Sequence, residues 1–125
     1  MEYAPEPLRD RTKAFAIRII RMFRALPPAE EARIIGRQLL RSGTSVAANY
    51  RAACRARSRR EFASKIGVVV EEADETLLWL ELLSDTKIVR PERMAGILDE
   101  AHQLTAIFTA ARETARRKRG KNGTT

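Results

Sequence analysis

Apolar and small positions recur along this chain at alternating intervals of three and four residues, in four separate runs. The first is Leu8, Thr12, Phe15, Ile19, Met22 and Leu26. The second is Ala32, Ile35, Leu39, Ser42, Val46, Asn49, Ala53 and Ala56. Phe62, Ile66, Val69, Ala73, Thr76, Leu80 and Leu83 form the third, and Met94, Ile97, Ala101, Leu104, Phe108, Ala111 and Ala115 the fourth. A mean period of 3.5 residues puts each run on one helical stripe and lets helices pack at shallow angles. The pattern predicts four long helices around a shared core.

The punctuation agrees. Pro27-Pro28 ends the first helix, and Pro28 suits the first turn of the second, where Glu30 and Glu31 meet the positive end of its dipole. Ser58-Arg59-Arg60-Glu61 reads as a capping box before the third run, and Pro91 suits the first turn of the fourth. Gly43-Thr44-Ser45 is a place where the second helix is expected to kink or change its turn. The joints are short, so sequential helices should run antiparallel. The expected fold is all-α: an antiparallel up-down-up-down four-helix bundle over residues 1–115, with 116–125 as a basic, disordered C-terminal tail.

A second stripe on the third helix changes the picture from a monomer to an assembly. Val68, Glu72, Glu75, Trp79 and Leu82 share a face offset from the core run, with Leu78 nearby. Covering Leu78, Trp79 and Leu82 inside one small bundle would need a helix buried almost all round, so these three are expected at a homo-oligomer interface. On the first helix, Ile20 and Phe23 are expected to widen the core stripe instead.

Composition supports the helical reading and narrows the chemistry. The chain has 125 residues, 44% of them hydrophobic, with 6 Gly and 5 Pro, too little turn punctuation for a sandwich or barrel. One cysteine, Cys54, excludes an internal disulfide and a cysteine-based zinc cage. Asp99 and His102 lie at i, i+3, but the single histidine leaves nothing to match them on another helix, so a di-metal bundle site is not expected. Ser45 or Ser58 with His102 shows no triad spacing, and no glycine-rich phosphate loop is present. The expectation is a non-enzyme without a cofactor. No basic-then-apolar leader opens the sequence and no stretch is long and apolar enough to span a bilayer, so a cytoplasmic location away from membranes is expected.

Charge is the remaining signal. The net charge is +8. Arg51, Arg55, Arg57, Arg59 and Arg60 form one basic cluster with no acid before Glu61, and Arg112, Arg116, Arg117, Lys118, Arg119 and Lys121 form another beside a single acid, Glu113. Acids gather elsewhere, at Glu71, Glu72, Asp74, Glu75 and Glu81. Either basic cluster alone is most simply a solvated surface that keeps the protein soluble. Two such clusters in one small chain also fit a surface for RNA or DNA phosphates, whose oxygens match the guanidinium fork. Tyr50 is the only aromatic among the arginines, which argues against sequence-specific recognition of single strands. Asn49, on a core position of a helix rich in small residues, needs a polar partner and is expected to fix helix register. Glu71, Glu72 and Glu75 can supply the partner charge for arginines of the second helix or of a neighbouring subunit.

Between Gln38 and Leu83 the residues resemble those of the four helix bundle protein family, encoded in the intervening sequences of bacterial 23S ribosomal RNA genes. The resemblance lies in Ser45-Val46-Ala47-Ala48-Asn49-Tyr50-Arg51, in Arg55-Ala56-Arg57-Ser58 with Phe62 and Lys65, and in Leu77-Leu78-Trp79-Leu80-Glu81-Leu82-Leu83. It implies a ring-like homopentamer. Through a related branch, the accessory variability determinant of diversity-generating retroelements, it also implies nucleic-acid binding and a reverse transcriptase or another protein as partner. Asn49, Arg55, Ser58, Phe62 and Glu72 match the family pattern and look like residues that hold the second and third helices together. The chain departs from many relatives at Ala52 and Ala53, where they carry an acid. The leading expectation is a non-catalytic oligomer binding RNA or DNA through Arg51, Arg55, Arg57, Arg59, Arg60, Arg116, Arg117, Lys118, Arg119 and Lys121. The alternative is a protein-interaction scaffold with no nucleic-acid role.

Overall fold

The computed structural model describes residues 6–123, with side chains over 7–117. Four helices follow one another: α1 (Glu6–Ala25), α2 (Glu30–Ala53), α3 (Arg59–Asp85) and α4 (Pro91–Gly123). The described residues contain no strand. Each helix packs on its neighbour in sequence, while α1 and α4 approach one another far less. This all-α arrangement is the one the four runs predict.

The helix ends follow local chemistry. Ser58 sits in extended backbone before α3, and its hydroxyl accepts a hydrogen bond from the Glu61 amide at 3.0 Å. That bond satisfies one of the amides a helix start leaves unpaired. Pro91 is the first residue of α4, as expected. Pro28 is not in α2: Ala29 caps that helix without a side-chain bond, and Glu30 and Glu31 fill its first turn. At the end of α3 the chain turns through Lys87, the one described non-glycine residue with positive φ, at 61°. The Lys87 amide donates to the Ser84 carbonyl and the Val89 amide to the Leu83 carbonyl, so carbonyls at the end of α3 find partners.

The third run is buried in full; in the fourth only Ala111 is half-buried, and in the first Leu8, Met22 and Leu26 are half-buried against the core. The second run is offset. The buried stripe of α2 is Ala32, Gly36, Leu39, Ser42, Gly43, Val46, Tyr50 and Ala53, while Ile35 and Asn49 are only half-buried. The cause is α1. A Cβ at Gly43 would lie 2.8 Å from Ile19 Cγ1, and one at Gly36 would lie 2.5 Å from Leu26 Cδ1. The two glycines let α1 settle against the backbone of α2, which turns that face inward. Gly43-Thr44-Ser45 therefore does not interrupt the helix: α2 is continuous from Glu30 to Ala53. The Thr44 hydroxyl donates to the Leu40 carbonyl at 2.7 Å, and the glycine serves close approach rather than bending.

Tyr50 is 1% exposed, its ring 5.3 Å from that of Phe108 on α4. Ser42 and Thr76, both fully buried, meet across α2 and α3, where the Thr76 hydroxyl donates to Ser42 Oγ at 2.9 Å. Ser42 in turn donates to the Leu39 carbonyl at 3.4 Å, and the single Thr76 O–H is shared between Ser42 Oγ and the Glu72 carbonyl at 2.7 Å, so neither hydroxyl is orphaned. α4 continues past residue 115 to Gly123, so residues 116–123 of the segment expected as a tail are helical in backbone, and 124–125 lie outside the described residues. Arg, Lys and Ala are strong helix formers, and no proline follows Pro91.

Candidate nucleic-acid interface

The first arginine cluster occupies the end of α2, the turn after it and the start of α3. α2 ends at Ala53, and tight turns carry the chain through Arg55, whose amide donates to the Ala52 carbonyl at 3.1 Å, and Ala56, whose amide donates to the Ala53 carbonyl at 3.0 Å. Ala53, Ala56 and Phe62 anchor this turn in the core, which directs the intervening arginines outward. Arg51, Arg55, Arg57 and Arg60 are exposed, and Arg59 is half-buried. Arg57 is 89% exposed in its side chain and faces Glu61 at 3.6 Å, a distance at which an exposed pair contributes little.

The second cluster is led to the same region by packing. Phe108 meets Tyr50 in a tilted ring contact, and one turn later Arg112 passes Gly67, where a Cβ would lie 4.0 Å from Arg112 Cδ. Arg112 lies alongside the first third of α3, and its Nε is buried without a hydrogen bond. One turn further, Arg116 and Arg117 are exposed, with Arg116 3.8 Å from Glu113. The side chains of Lys118, Arg119 and Lys121 lie outside the described residues. Arg9 and Lys13 of α1 share a surface groove with Arg51 and Arg55, which adds cations that sequence reasoning did not single out. Only the packing of α1 on α2 reveals them.

Other arginines are committed to carboxylates. Arg41 reaches from α2 to α3, with Nη1 3.3 Å from Glu72 Oε2 and Nη2 bonded to Glu75 Oε2. The Trp79 indole N–H donates to the same Glu75 oxygen at 3.2 Å. Glu72 thus links α2 and α3, and Glu75 is the partner the sequence anticipated. Trp79 is half-buried against the core, Leu82 is half-buried, and Leu78 is 47% exposed. On α1, Arg11 grips Glu100 of α4 through two bonds of 2.7 and 2.8 Å and donates to Gln103 at 2.9 Å. The Arg11 guanidinium holds the Glu100 carboxyl below its ordinary range, mainly by this hydrogen bonding and against the opposing effect of burial.

One expectation needs correction. Asn49 does not bridge helices: it is half-buried, and its Nδ2 donates to the Ser45 carbonyl of its own helix at 2.9 Å. The buried polar bond between α2 and α3 is Ser42 with Thr76, both on predicted core positions but not recognised as a pair. Tyr50 is no stacking platform, because its ring is buried. His102 is exposed. Among the described residues, no three His, Cys, Asp or Glu side chains are grouped to hold a metal ion, and no helix is long and apolar enough to cross a membrane.

The model of the family described as 23S rRNA-intervening sequence protein matches residues 8–110. The chain belongs to that family. A similar solved structure is a protein of unknown function from the S23 ribosomal protein family of Bacteroides thetaiotaomicron VPI-5482. It is 33% identical over 83% of this chain and 96% of that one, with a TM-score of 0.77. No curated protein matches.

Proposed function

We propose that the protein is a non-catalytic, homo-oligomeric, antiparallel four-helix bundle that binds RNA or DNA through phosphates, with little sequence preference. The supporting observation is the exposed arginine edge at the α2–α3 turn. Arg51, Arg55, Arg57 and Arg60 face solvent with a single nearby carboxylate, Glu61, whereas Arg11 and Arg41 are tied to acids. The helix pairings add weight. Ile19 packs at Gly43 and Leu26 at Gly36, so later residues of α1 meet earlier residues of α2. With α4 passing Gly67 at Arg112, the two arginine clusters share one end of an up-down-up-down bundle. Charge concentrated on one end attracts a polyanion more strongly than the same charge dispersed.

The test is an anisotropy titration of labelled duplex DNA and single-stranded RNA across salt concentrations. Log affinity should fall linearly with log salt, by about 0.9 per phosphate neutralised on the duplex. The double variant Arg57→Gln/Arg60→Gln should lower that slope by about 2. Absence of binding at low salt would remove the proposal. The scaffold reading draws on the exposed Leu78 and Val68 of α3, and it predicts protein partners and no salt-dependent binding.

A further inference from the structure

A groove of about 510 Å³ runs along the outer junction of α1 and α2. It extends from Arg9 to Ile20 on one wall and from Thr44 to Arg55 on the other. At about 1.5 Å per residue, that is about three turns of helix, on the order of 16 Å. Its floor is alanine: Ala16, Ala47, Ala48 and Ala52. Small side chains let a further helix approach closely, since interaxial distance follows side-chain size at the contact. Ile17, 38% exposed, supplies an apolar knob, and Lys13, Arg51 and Arg55 supply cations with no partner among the described residues. The groove is apolar and open along its length and lacks convergent polar groups to orient a small ligand.

The same chain carries the complementary surface. On α3, Val68, Glu71 and Leu78 are exposed and Leu82 is half-buried along one face, with Glu75 between them already held by Arg41 and Trp79. Val68 is 41% and Leu78 47% exposed. Glu71 and Asp74, two turns and one turn before Leu78, are exposed and have no partner among the described residues. An apolar stripe flanked by acids is the surface an alanine-floored groove flanked by cations would take.

We propose that the α3 stripe of one copy seats in the α1–α2 groove of the next. This rests on the homo-oligomer reading above and adds which surfaces meet. Because groove and stripe are different surfaces, the contact is heterologous: each copy donates one and receives one, which builds a ring if the rotation closes. Arg51 and Arg55 then belong to the joint between copies, and Arg57 and Arg60 remain for the polyanion.

The experiment uses the full chain and light scattering. Ile17→Asp spoils the groove and leaves the stripe; Leu78→Asp spoils the stripe and leaves the groove. Both positions are surface-exposed, and helicity is checked by circular dichroism; Ile17→Ser and Leu78→Ser replace any Asp variant that loses it. Wild type should be oligomeric, and each variant alone monomeric. Mixed in equal amounts, the two variants should form a one-to-one dimer of twice the monomer mass and stop there, because only one intact groove and one intact stripe are present per pair. A monomeric wild type overturns the oligomer reading itself. Variants that keep the wild-type mass leave assembly standing and overturn this contact. Monomeric variants that fail to pair show that groove and stripe are not partners.

Discussion

Arg41 and Arg51 lie ten residues apart on α2 and are treated in opposite ways. Arg41 is held by Glu72 and Glu75, and Glu75 is held in turn by the indole of Trp79. Arg51, like Arg55 and Arg60 beyond it, is exposed without a carboxylate against it among the described residues. The difference lies in what α3 presents opposite each one. Level with Arg41 runs the acidic middle of α3; at the α2–α3 turn there is one acid, Glu61, and the cap serine. Counting arginines therefore overstates a binding surface, because part of the count is spent clasping helices. An arginine becomes available to a ligand only where its neighbouring helix is not acidic.

The comparison depends on the α1–α2–α3 frame, and the position that disturbs it most is Gly43, two residues from Arg41 and about one turn from Val46. A methyl group there would meet Ile19, a β-branched side chain fixed on its own helix, at 2.8 and 2.9 Å. Gly43→Ala gains helix propensity of about 1 kcal/mol but forces overpacking that typically costs 1–3 kcal/mol. The expected outcome is a net loss in chemical denaturation of up to about 2 kcal/mol. Unchanged or increased stability would mean that α1 shifts freely, and that the buried stripe of α2 is not set by this contact.

Smaller in effect but more direct is a paired substitution. Arg41→Gln removes a clasp whose members are partly exposed, so a stability loss of about 0.5 kcal/mol, and at most about 1, is expected with no change in polyanion affinity. Arg57→Gln should do the reverse: stability unchanged within about 0.5 kcal/mol, and weaker binding with a shallower salt dependence. Thermal melts and salt titrations on both variants give four results. Equal behaviour of the two arginines would erase the distinction.

How far the sequence reached follows from these same residues. The stripes of α1, α3 and α4 were legible because bulky apolar side chains mark them. That of α2 was misplaced at Ile35 and Asn49, because the inward positions there are Gly36 and Gly43, which carry no hydrophobic signal, and Tyr50, whose ring buries while its type reads as amphipathic. The Ser58 cap was legible as a local motif. The Ser42–Thr76 bond joins residues 34 apart, and no spacing rule links them. Both arginine clusters were legible as charge runs. Their convergence with Lys13 and Arg9 was not, since it comes from which helices share an end.

The smallest expected effect extends the comparison to the seam between α1 and α4, the loosest of the four helix–helix seams. Here Arg11 is again a clasp, bonded to Glu100 and Gln103, and Gln103 donates to Asp99 at 2.8 Å. The carboxyl of Glu100 titrates below its ordinary 4.5 in the folded protein, because charged Arg11 hydrogen-bonds its ionised form. In the unfolded chain that bond is absent, so the folded state binds protons less readily. The pair's contribution is therefore complete above about pH 4.5 and fades as pH falls through the folded value. Arg11 is correspondingly raised above its ordinary value by the same hydrogen bond, so it stays charged throughout this range. Arg11→Met keeps the aliphatic stem and deletes the bond. Near neutral pH it should melt lower than wild type by a few tenths of a kcal/mol, as expected for a partly exposed pair. The gap should narrow below pH 4.5 and close as Glu100 becomes protonated. A gap that stays constant from pH 7 to pH 3 would assign the loss to packing of the side chain, and the seam would then be held by contact rather than by charge.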